Sequence, residues 1–281
     1  MSPALFFAMV KHFNISLERL AICSILILLL CGRTFPQVKS DSSVTVTISA
    51  VGDLMCHSVQ FHYAETHKDN FNFNPVYQIV KQYLSASDFT IGNLETVVAG
   101  KEKRYSGYPL FNSPHEYINA LKNTGFDLLF TANNHALDRG EYGVLRTIEI
   151  LKGNKINYEG TFVSQRDRDS IRIIDINGIK VAFLAYTYGT NGNIVPKDKP
   201  YLIKRIDFNL IRKDIQMARA KKADIVLVYL HFGTEYKRDP DKNQKVVVDS
   251  TIKYGADIII GSHPHVIEPM KIFKTNNGSI T

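Results

Sequence analysis

The 281-residue sequence has few cysteines, few glycines and prolines, and no long basic run. Of its three cysteines only Cys56 lies beyond residue 40, so the rest of the chain has no second thiol for an internal disulfide. The 17 glycines and 10 prolines are too few for a collagen-like chain, and 44% hydrophobic residues are too many for a disordered one. A mean hydropathy of -0.11 leaves no room for a polytopic membrane protein. Without a Lys/Arg-rich run we expect no nucleic-acid groove.

The first forty residues differ from the remainder of the chain. Lys11 and Arg19 precede an apolar run from Leu20 to Cys31. A basic flank followed by about a dozen apolar residues is typical of a signal peptide, because a spanning helix needs about 20. We therefore expect residues 1–40 to be a signal peptide or an N-terminal membrane anchor. The protein would then be exported and either secreted or anchored, and residues 41–281 would form its functional domain.

From residue 43 onward, short β-branched apolar segments alternate with amphipathic ones, which predicts a layered α/β domain with a mixed sheet. The predicted strands are 44–51, 88–91, 126–131, 171–176, 181–186, 224–230 and 257–260. The predicted helices are 76–84, 115–124, 140–152, 208–221 and 244–254. Asn177-Gly178 separates two of the strands and predicts a hairpin.

Five of the predicted strands run into polar side chains. These are Asp53; Asn93 and Glu95; Asn133, Asn134, His135 and Asp138; His231 and Glu235; and His263 and His265. Because ligands of α/β sheets bind beyond the carboxyl ends of the strands, we expect these side chains to gather in one site. Imidazole together with carboxylate suits divalent metal ions such as Mn, Zn or Fe, one or two in number. The lack of clustered cysteines argues against a structural zinc site.

The same five stretches resemble the calcineurin-like metallophosphoesterase superfamily and, more closely, the CapA family of poly-γ-glutamate capsule biosynthesis proteins. The matching stretches are 50–55, 92–95, 133–138, 230–236 and 261–266, and the likeness extends from about Val44 to Met270. The resemblance implies a four-layered α/β/β/α sandwich with mixed sheets. It also implies export or membrane attachment, and a role in the production or release of capsular polyglutamate.

The resemblance also implies roles for individual residues. Asp53 and His265 would hold a first ion, and Asn134, His231 and His263 would hold a second. His135 matches the family histidine that protonates the leaving group or steadies the transition state. Asp138 is expected either to cap the following helix or to orient His135.

Two positions depart from the superfamily pattern of D-x-H, G-D, G-N-H, H and G-H-x-H. Met55 stands at the histidine of D-x-H, and His57 is either a substitute ligand or a bystander. Asn93 stands at the aspartate of G-D, which makes Glu95 the candidate bridging ligand. These changes leave open a single ion in place of two, or a different reaction.

Two functions therefore remain open. The first is a metal-dependent, phosphoesterase-type hydrolase acting on a phosphoester or on the anionic polymer poly-γ-glutamate. The second is a non-catalytic export or assembly component that binds polymer or membrane-bound capsule synthesis partners. Loop 99–114 carries Lys101, Lys103 and Arg104, either as an ordinary solvated loop or as a contact for an anionic polymer. Residues 272–281 have the pattern of the start of another strand, and members of the CapA family usually continue with a further Gly-Asn-Phe strand. The resemblance therefore implies that the domain is truncated at its C-terminal end.

Overall fold

The structure, a computed structural model, describes residues 43–275 and 278–280. The predicted signal peptide or anchor, residues 1–40, lies outside the described residues. Within them, no helix is long and apolar enough to cross a membrane. The strands are β1 (Ile48–Leu54), β2 (Glu65–His67), β3 (Asn70–Phe71), β4 (Phe89–Leu94), β5 (Leu128–Phe130), β6 (Asn157–Glu159), β7 (Arg172–Ile176), β8 (Ile179–Thr187), β9 (Ile225–His231), β10 (Ile258–Ser262), β11 (Phe273–Thr275) and β12 (Gly278–Ile280). The helices are α1 (Ser58–Ala64), α2 (Asn74–Leu84), α3 (Glu116–Thr124), α4 (Gly140–Gly153), α5 (Gln165–Arg168), α6 (Phe208–Ala220) and α7 (Lys242–Tyr254).

Two four-stranded sheets carry the fold. The first has the order β1-β4-β5-β6 and is parallel throughout. The second has the order β10-β9-β8-β7, in which only β7 is antiparallel to its neighbour. Parallel neighbours need crossover connections, which the helices between them supply. The predicted hairpin joins β7 to β8, with Asn177 at a φ of 51° and Gly178 at a φ of 93°, as a tight turn of this kind requires.

The two sheets pack face to face with helices outside them. Between the sheets, the rings of Phe130 and Tyr229 stack with centroids 4.3 Å apart. On the other side of the second sheet, Ile211 and Ile215 of α6 pack in one core with Val228 of β9. Buried residues of α3 and α4 belong to the core of the first sheet. The predicted α/β/β/α sandwich with mixed sheets is thus confirmed, because each sheet buries both faces.

Some element bounds differ from the predicted ones. Strands β1 and β4 run on through Asp53 and Asn93, which pair with each other in the ladder after an irregularity that follows Ala50. These polar residues continue the strands because their backbones still find ladder partners. Strand β6 was not predicted, since Asn157–Glu159 is short and has polar ends. The C-terminal strands β11 and β12 form an antiparallel pair where the sequence indicates a strand start and a turn.

Candidate metal centre

The structure brings all six predicted metal ligands to one edge of the two sheets. These are Asp53, Glu95, Asn134, His231, His263 and His265. Asp53 and Asn93 pair one residue before the ends of their strands in the first sheet, and His231 and Ser262 end paired strands of the second. The side chain of Asn93 joins the sheets, because its Nδ2 lies 2.8 Å from Asp53 Oδ1 and 3.3 Å from His231 Nδ1. The roles of these residues as ligands stay a prediction.

The inner part of the centre is buried and contains two imidazoles. Glu95, His231 and His263 each place a ligand atom within 4.8 Å of the other two. Asn134 adds an amide oxygen, 2.9 Å from His231 Nε2. The opposite ring nitrogen, His231 Nδ1, lies 2.9 Å from Ser262 Oγ, which fixes the orientation of the ring. His231 Nε2 and Asn134 Oδ1 therefore lie beside each other, as two ligands of one ion do.

The outer part of the centre lies closer to solvent. Asp53 Oδ2 lies 2.9 Å from His265 Nδ1, and both residues come within ligand range of Glu95. Glu235, His263 and His265 form another possible group, in which Glu235 is exposed. Glu235 was not predicted as a ligand. Its position four residues after His231, in the same polar stretch at a strand end, was the available signal.

The backbone that carries the two C-terminal histidines is strained. His263 has a φ of 101° and His265 a φ of 56°, values that side chains with a Cβ rarely adopt. The neighbouring loop shares this strain, since Tyr236 has a φ of 61° and donates its N–H to the carbonyl of Pro264 at 2.8 Å. Strain of this kind is concentrated at functional sites, where the surrounding structure imposes it.

Burial sets the charges of the inner groups. Burial, together with the charge of Asp53, raises the pKa of Glu95 to about 10. Burial also lowers the pKa of His231 well below its usual value, so its ring is neutral at pH 7, as a metal ligand must be. Burial by itself would raise the pKa of Asp53. The hydrogen bond with His265 and the nearby His231 and Asn93 outweigh it and lower that pKa.

Two buried ligand atoms in the described part of the chain lack any hydrogen-bond partner. They are Glu95 Oε1 and His263 Nδ1. An unpaired buried polar atom costs about 1–3 kcal/mol, so a fold that keeps two of them side by side needs a compensating partner. Carboxylate, amide oxygen and neutral imidazole are ligands that Zn, Mn and Fe accept. The donor set therefore fits a divalent ion.

Beside this cluster lies a His135–Asp138 pair. Asp138 Oδ2 accepts hydrogen bonds from His135 Nδ1 at 2.7 Å and from the backbone N–H of Phe111 at 2.6 Å. The Phe111 ring meets the imidazole edge-on at 4.6 Å. Of the two predicted roles of Asp138, orienting His135 is the one that its contacts support. Capping α4 is wrong, because the residue at the helix start is Arg139 and its side chain makes no capping bond.

The polar loop of residues 189–200, called the covering loop below, lies against this pair. Asn191 Nδ2 lies 3.4 Å from His135 Nε2, and Asn191 Oδ1 accepts from Asn134 Nδ2 at 3.3 Å. Asn193 donates to Asp138 Oδ1 at 3.3 Å. These contacts were missed because a loop lacks the periodicity that assigns side chains to a face. The available signal was that the loop follows β8, another strand of the same sheet.

Two other predicted candidates lie away from the ligands. His57 is exposed and its ring packs edge-on against Phe111 at 5.0 Å. No possible ligand group in residues 43–274 includes it, which favours the bystander alternative. In the basic loop, Lys101 pairs with Asp69 at 2.5 Å. A polymer contact through Lys103 or Arg104 stays a prediction.

Comparisons with known proteins give the family. The family of the bacterial capsule synthesis protein PGA_cap matches residues 47–280. The chain belongs to this family. It is 31% identical over 245 residues to the capsule biosynthesis protein CapA of Bacillus anthracis, covering 84% of this chain and 58% of that protein.

A second relative and a solved structure are also similar to the chain. The PGA biosynthesis protein CapA of Bacillus subtilis (strain 168) is 30% identical over 248 residues, covering 87% of this chain and 63% of the relative. The chain thus spans about three fifths of the length of these two relatives. Among solved structures, NAD nucleotidase of Haemophilus influenzae aligns with a TM-score of 0.48 and 13% identity, covering 84% of this chain and 44% of that one.

Proposed function

We propose that this PGA_cap protein acts in bacterial capsule production outside the cytoplasm, as a divalent-metal hydrolase on a phosphoester or on poly-γ-glutamate. The observation that carries the proposal is the pair of unpartnered buried atoms, Glu95 Oε1 and His263 Nδ1, on two residues that form a possible ligand group with the neutral His231 ring. Family membership supports the biological role, and one relative is described as a PGA biosynthesis protein. The apolar segment within residues 1–40 supports export.

Four residues would hold the ion: Glu95, Asn134, His231 and His263. A divalent ion bound there polarises the bond that is attacked and lowers the pKa of water towards 7. The surrounding residues orient the ligand His231 and keep it neutral before an ion binds. Ser262 fixes the His231 ring through Nδ1, and burial keeps that ring neutral.

In this proposal, His135 donates the proton that the leaving group takes up. Because the Asp138 carboxylate accepts the hydrogen on His135 Nδ1, Nε2 is the ring nitrogen that can take up a proton and release it. The carboxylate also orients the His135 ring, and the Phe111 N–H holds the carboxylate in place. A proton held at Nε2 can pass to a leaving group, a role that contributes about 10²–10⁴-fold in rate.

The test is metal-dependent turnover by the purified full chain. Aryl phosphates and poly-γ-glutamate would be offered with Mn²⁺ or Zn²⁺ and with a chelator. Turnover with metal that falls about 10²–10⁴-fold in His135→Ala supports the proposal. His115→Ala is the matched control, because this histidine is exposed and lies outside the centre. Absence of metal-dependent turnover on both substrates contradicts hydrolysis.

A second function, non-catalytic export or assembly, is favoured by two observations at the same centre. Met55 and Asn93 stand where the superfamily pattern has a histidine and an aspartate, so a site derived from an enzyme could serve binding alone. Capsule production in cells separates the two functions. If His135→Ala abolishes capsule while the protein stays abundant and correctly located, the assembly function is wrong. Capsule loss only on deletion of residues 1–40 would favour it.

A further inference from the structure

The Asn93 amide contacts the two carboxyl groups of the centre that are shielded from water, those of Asp53 and Glu95. Its Nδ2 lies 2.8 Å from Asp53 Oδ1, 3.2 Å from Glu95 Oε2 and 3.3 Å from His231 Nδ1. All four of these residues are buried or nearly so. An amide nitrogen donates hydrogen bonds and offers no lone pair to a metal. The orientation of this amide therefore decides whether Asn93 can be a ligand.

Asn133 fixes that orientation through two backbone groups. Asn133 Nδ2 donates to the carbonyl of Leu94 at 2.7 Å, and Asn133 Oδ1 accepts from the N–H of His135 at 3.1 Å. Reversing the Asn133 amide would set oxygen against oxygen and N–H against N–H. With this orientation fixed, the same Asn133 Nδ2 donates to Asn93 Oδ1 at 3.0 Å. The Asn93 oxygen is thereby turned to Asn133, and its NH₂ is turned to the carboxylates.

The Asn93 NH₂ group, a hydrogen-bond donor, therefore occupies the position where the superfamily pattern has the aspartate that bridges two ions. The Asn93 NH₂ engages one oxygen of Asp53 and one of Glu95, so each carboxylate keeps a single oxygen for other partners. For Glu95 this is the unpartnered Oε1 of the inner group. For Asp53 it is Oδ2, which is already 2.9 Å from His265 Nδ1.

The two parts of the centre therefore differ in their need for a cation. Within residues 43–274, the inner group is the only possible ligand group that contains both residues with an unpartnered atom, Glu95 and His263, whereas each outer group contains one of them. The outer carboxylate Asp53 has partners on both oxygens, and Glu235 is exposed to water. A cation at the inner group meets both unpartnered atoms and replaces the contact between His231 Nε2 and Asn134 Oδ1. A cation beside Asp53 meets at most one of those atoms and must displace the hydrogen bonds of a buried carboxylate.

We propose that the centre binds one divalent ion tightly, at the inner group, and that Asn93, oriented by Asn133, excludes a second bridged ion. Asn93 is a positioning residue in this proposal, since it directs Glu95 Oε1 to the ion. The inference rests on the proposed metal site but does not depend on which bond is hydrolysed.

Metal content measures the inference directly. The full chain would be loaded with Mn²⁺ or Zn²⁺, dialysed and analysed for metal per chain. We expect one retained ion per natural chain and two per Asn93→Asp chain. The second ion should bind to Asn93→Asp at least tenfold more tightly than a second ion binds to the natural chain. Asn123→Asp is the control, because it adds the same charge on an exposed helix position and should leave the content unchanged. A natural chain that retains two ions, or an Asn93→Asp chain that folds and retains one, overturns the inference.

Electron paramagnetic resonance of the Mn²⁺-loaded natural chain needs no variant and so holds even if Asn93→Asp fails to fold. We expect the hyperfine pattern of an isolated ion at every loading. The broadened spectrum of an exchange-coupled pair overturns the inference while leaving the metal site of the proposed function intact. Absence of any retained metal contradicts that metal site itself.

Discussion

Replacing Lys204 by methionine tests how the covering loop is held over the centre. The Lys204 side chain is 1% exposed, and its Nζ lies 3.1 Å from Asp214 Oδ2 and 3.4 Å from Glu159 Oε1. Its backbone N–H donates to Gly160 O at 3.0 Å, and its carbonyl accepts from Thr187 N at 3.1 Å. Lys204 therefore ties the end of the covering loop to both sheets.

The size of the expected loss in the free energy of unfolding follows from the burial of the Lys204 ion pairs. Methionine keeps most of the apolar stem but leaves Glu159 and Asp214 buried without their shared cation. Removing one partner of a buried ion pair costs about 3–5 kcal/mol in the free energy of unfolding. Arg172 Nε also lies 3.4 Å from Glu159, so we expect the lower end, ~3 kcal/mol. Urea unfolding followed by circular dichroism measures it.

Lys199→Met is the matched control. Lys199 pairs with Glu141 at 2.6 Å, but both side chains are about one third exposed, so we expect a loss of about 0–1 kcal/mol. The loss in Lys204→Met should also shrink as the pH falls. Burial already raises the pKa of Glu159, and a carboxyl group with a raised folded-state pKa destabilises the fold progressively as the pH rises from its unfolded-state pKa to the raised one. A Lys204→Met loss no larger than that of Lys199→Met at pH 8 would refute the reasoning.

Three further predictions concern the backbone at Gly160, the buried thiol of Cys56 and the contact between Asp138 and His135. Gly160→Ala should cost more than ~2 kcal/mol in urea unfolding, because φ is 114° and a Cβ would lie 2.5 Å from that of Ala132. Gly178→Ala should cost only about 1 kcal/mol in the free energy of unfolding, because φ is 93° but an added Cβ would meet no atom. Equal losses in the two variants would contradict this reasoning. Burial raises the pKa of Cys56 to about 12, so iodoacetamide should label it about a thousandfold more slowly than an ordinary thiol at pH 8 and rapidly only after unfolding. The free energy of unfolding should fall above about pH 9, where only the unfolded thiol ionises. Asp138→Asn should lower kcat about 10²-fold or more with KM little changed, and an unaltered kcat would show that His135 needs no carboxylate.

Much of the centre could be predicted because the carboxyl ends of parallel strands meet at one edge of a sheet, and polar side chains follow several apolar strands of this chain. Asp53, Glu95 and His263 lie far apart along the sequence, and the rule that strand ends share a sheet edge was enough to bring them together. The sandwich was implied by the family resemblance, and the hairpin at Asn177-Gly178 by turn chemistry.

The parts that could not be predicted depend on contacts without a periodic signal. Asn191 and Asn193 reach His135 and Asp138 from a loop, and loop side chains have no pattern that assigns them a direction. The amide orientation of Asn93 depends on Asn133, which is set in turn by two backbone groups that only the folded chain brings close. Sequence shows that an asparagine is present, but not which of its atoms faces the ion.

Thermal unfolding with and without metal tests most directly the claim that buried, unpartnered atoms form a metal centre. At a free metal concentration of about 100 times Kd, binding to the folded chain adds about 2.7 kcal/mol, or roughly 5–10 °C in Tm for a domain of this size. We predict this rise with Mn²⁺ or Zn²⁺, its loss in His263→Ala and its persistence in His115→Ala. Equal Tm values for the natural chain in metal and in chelator would contradict the account.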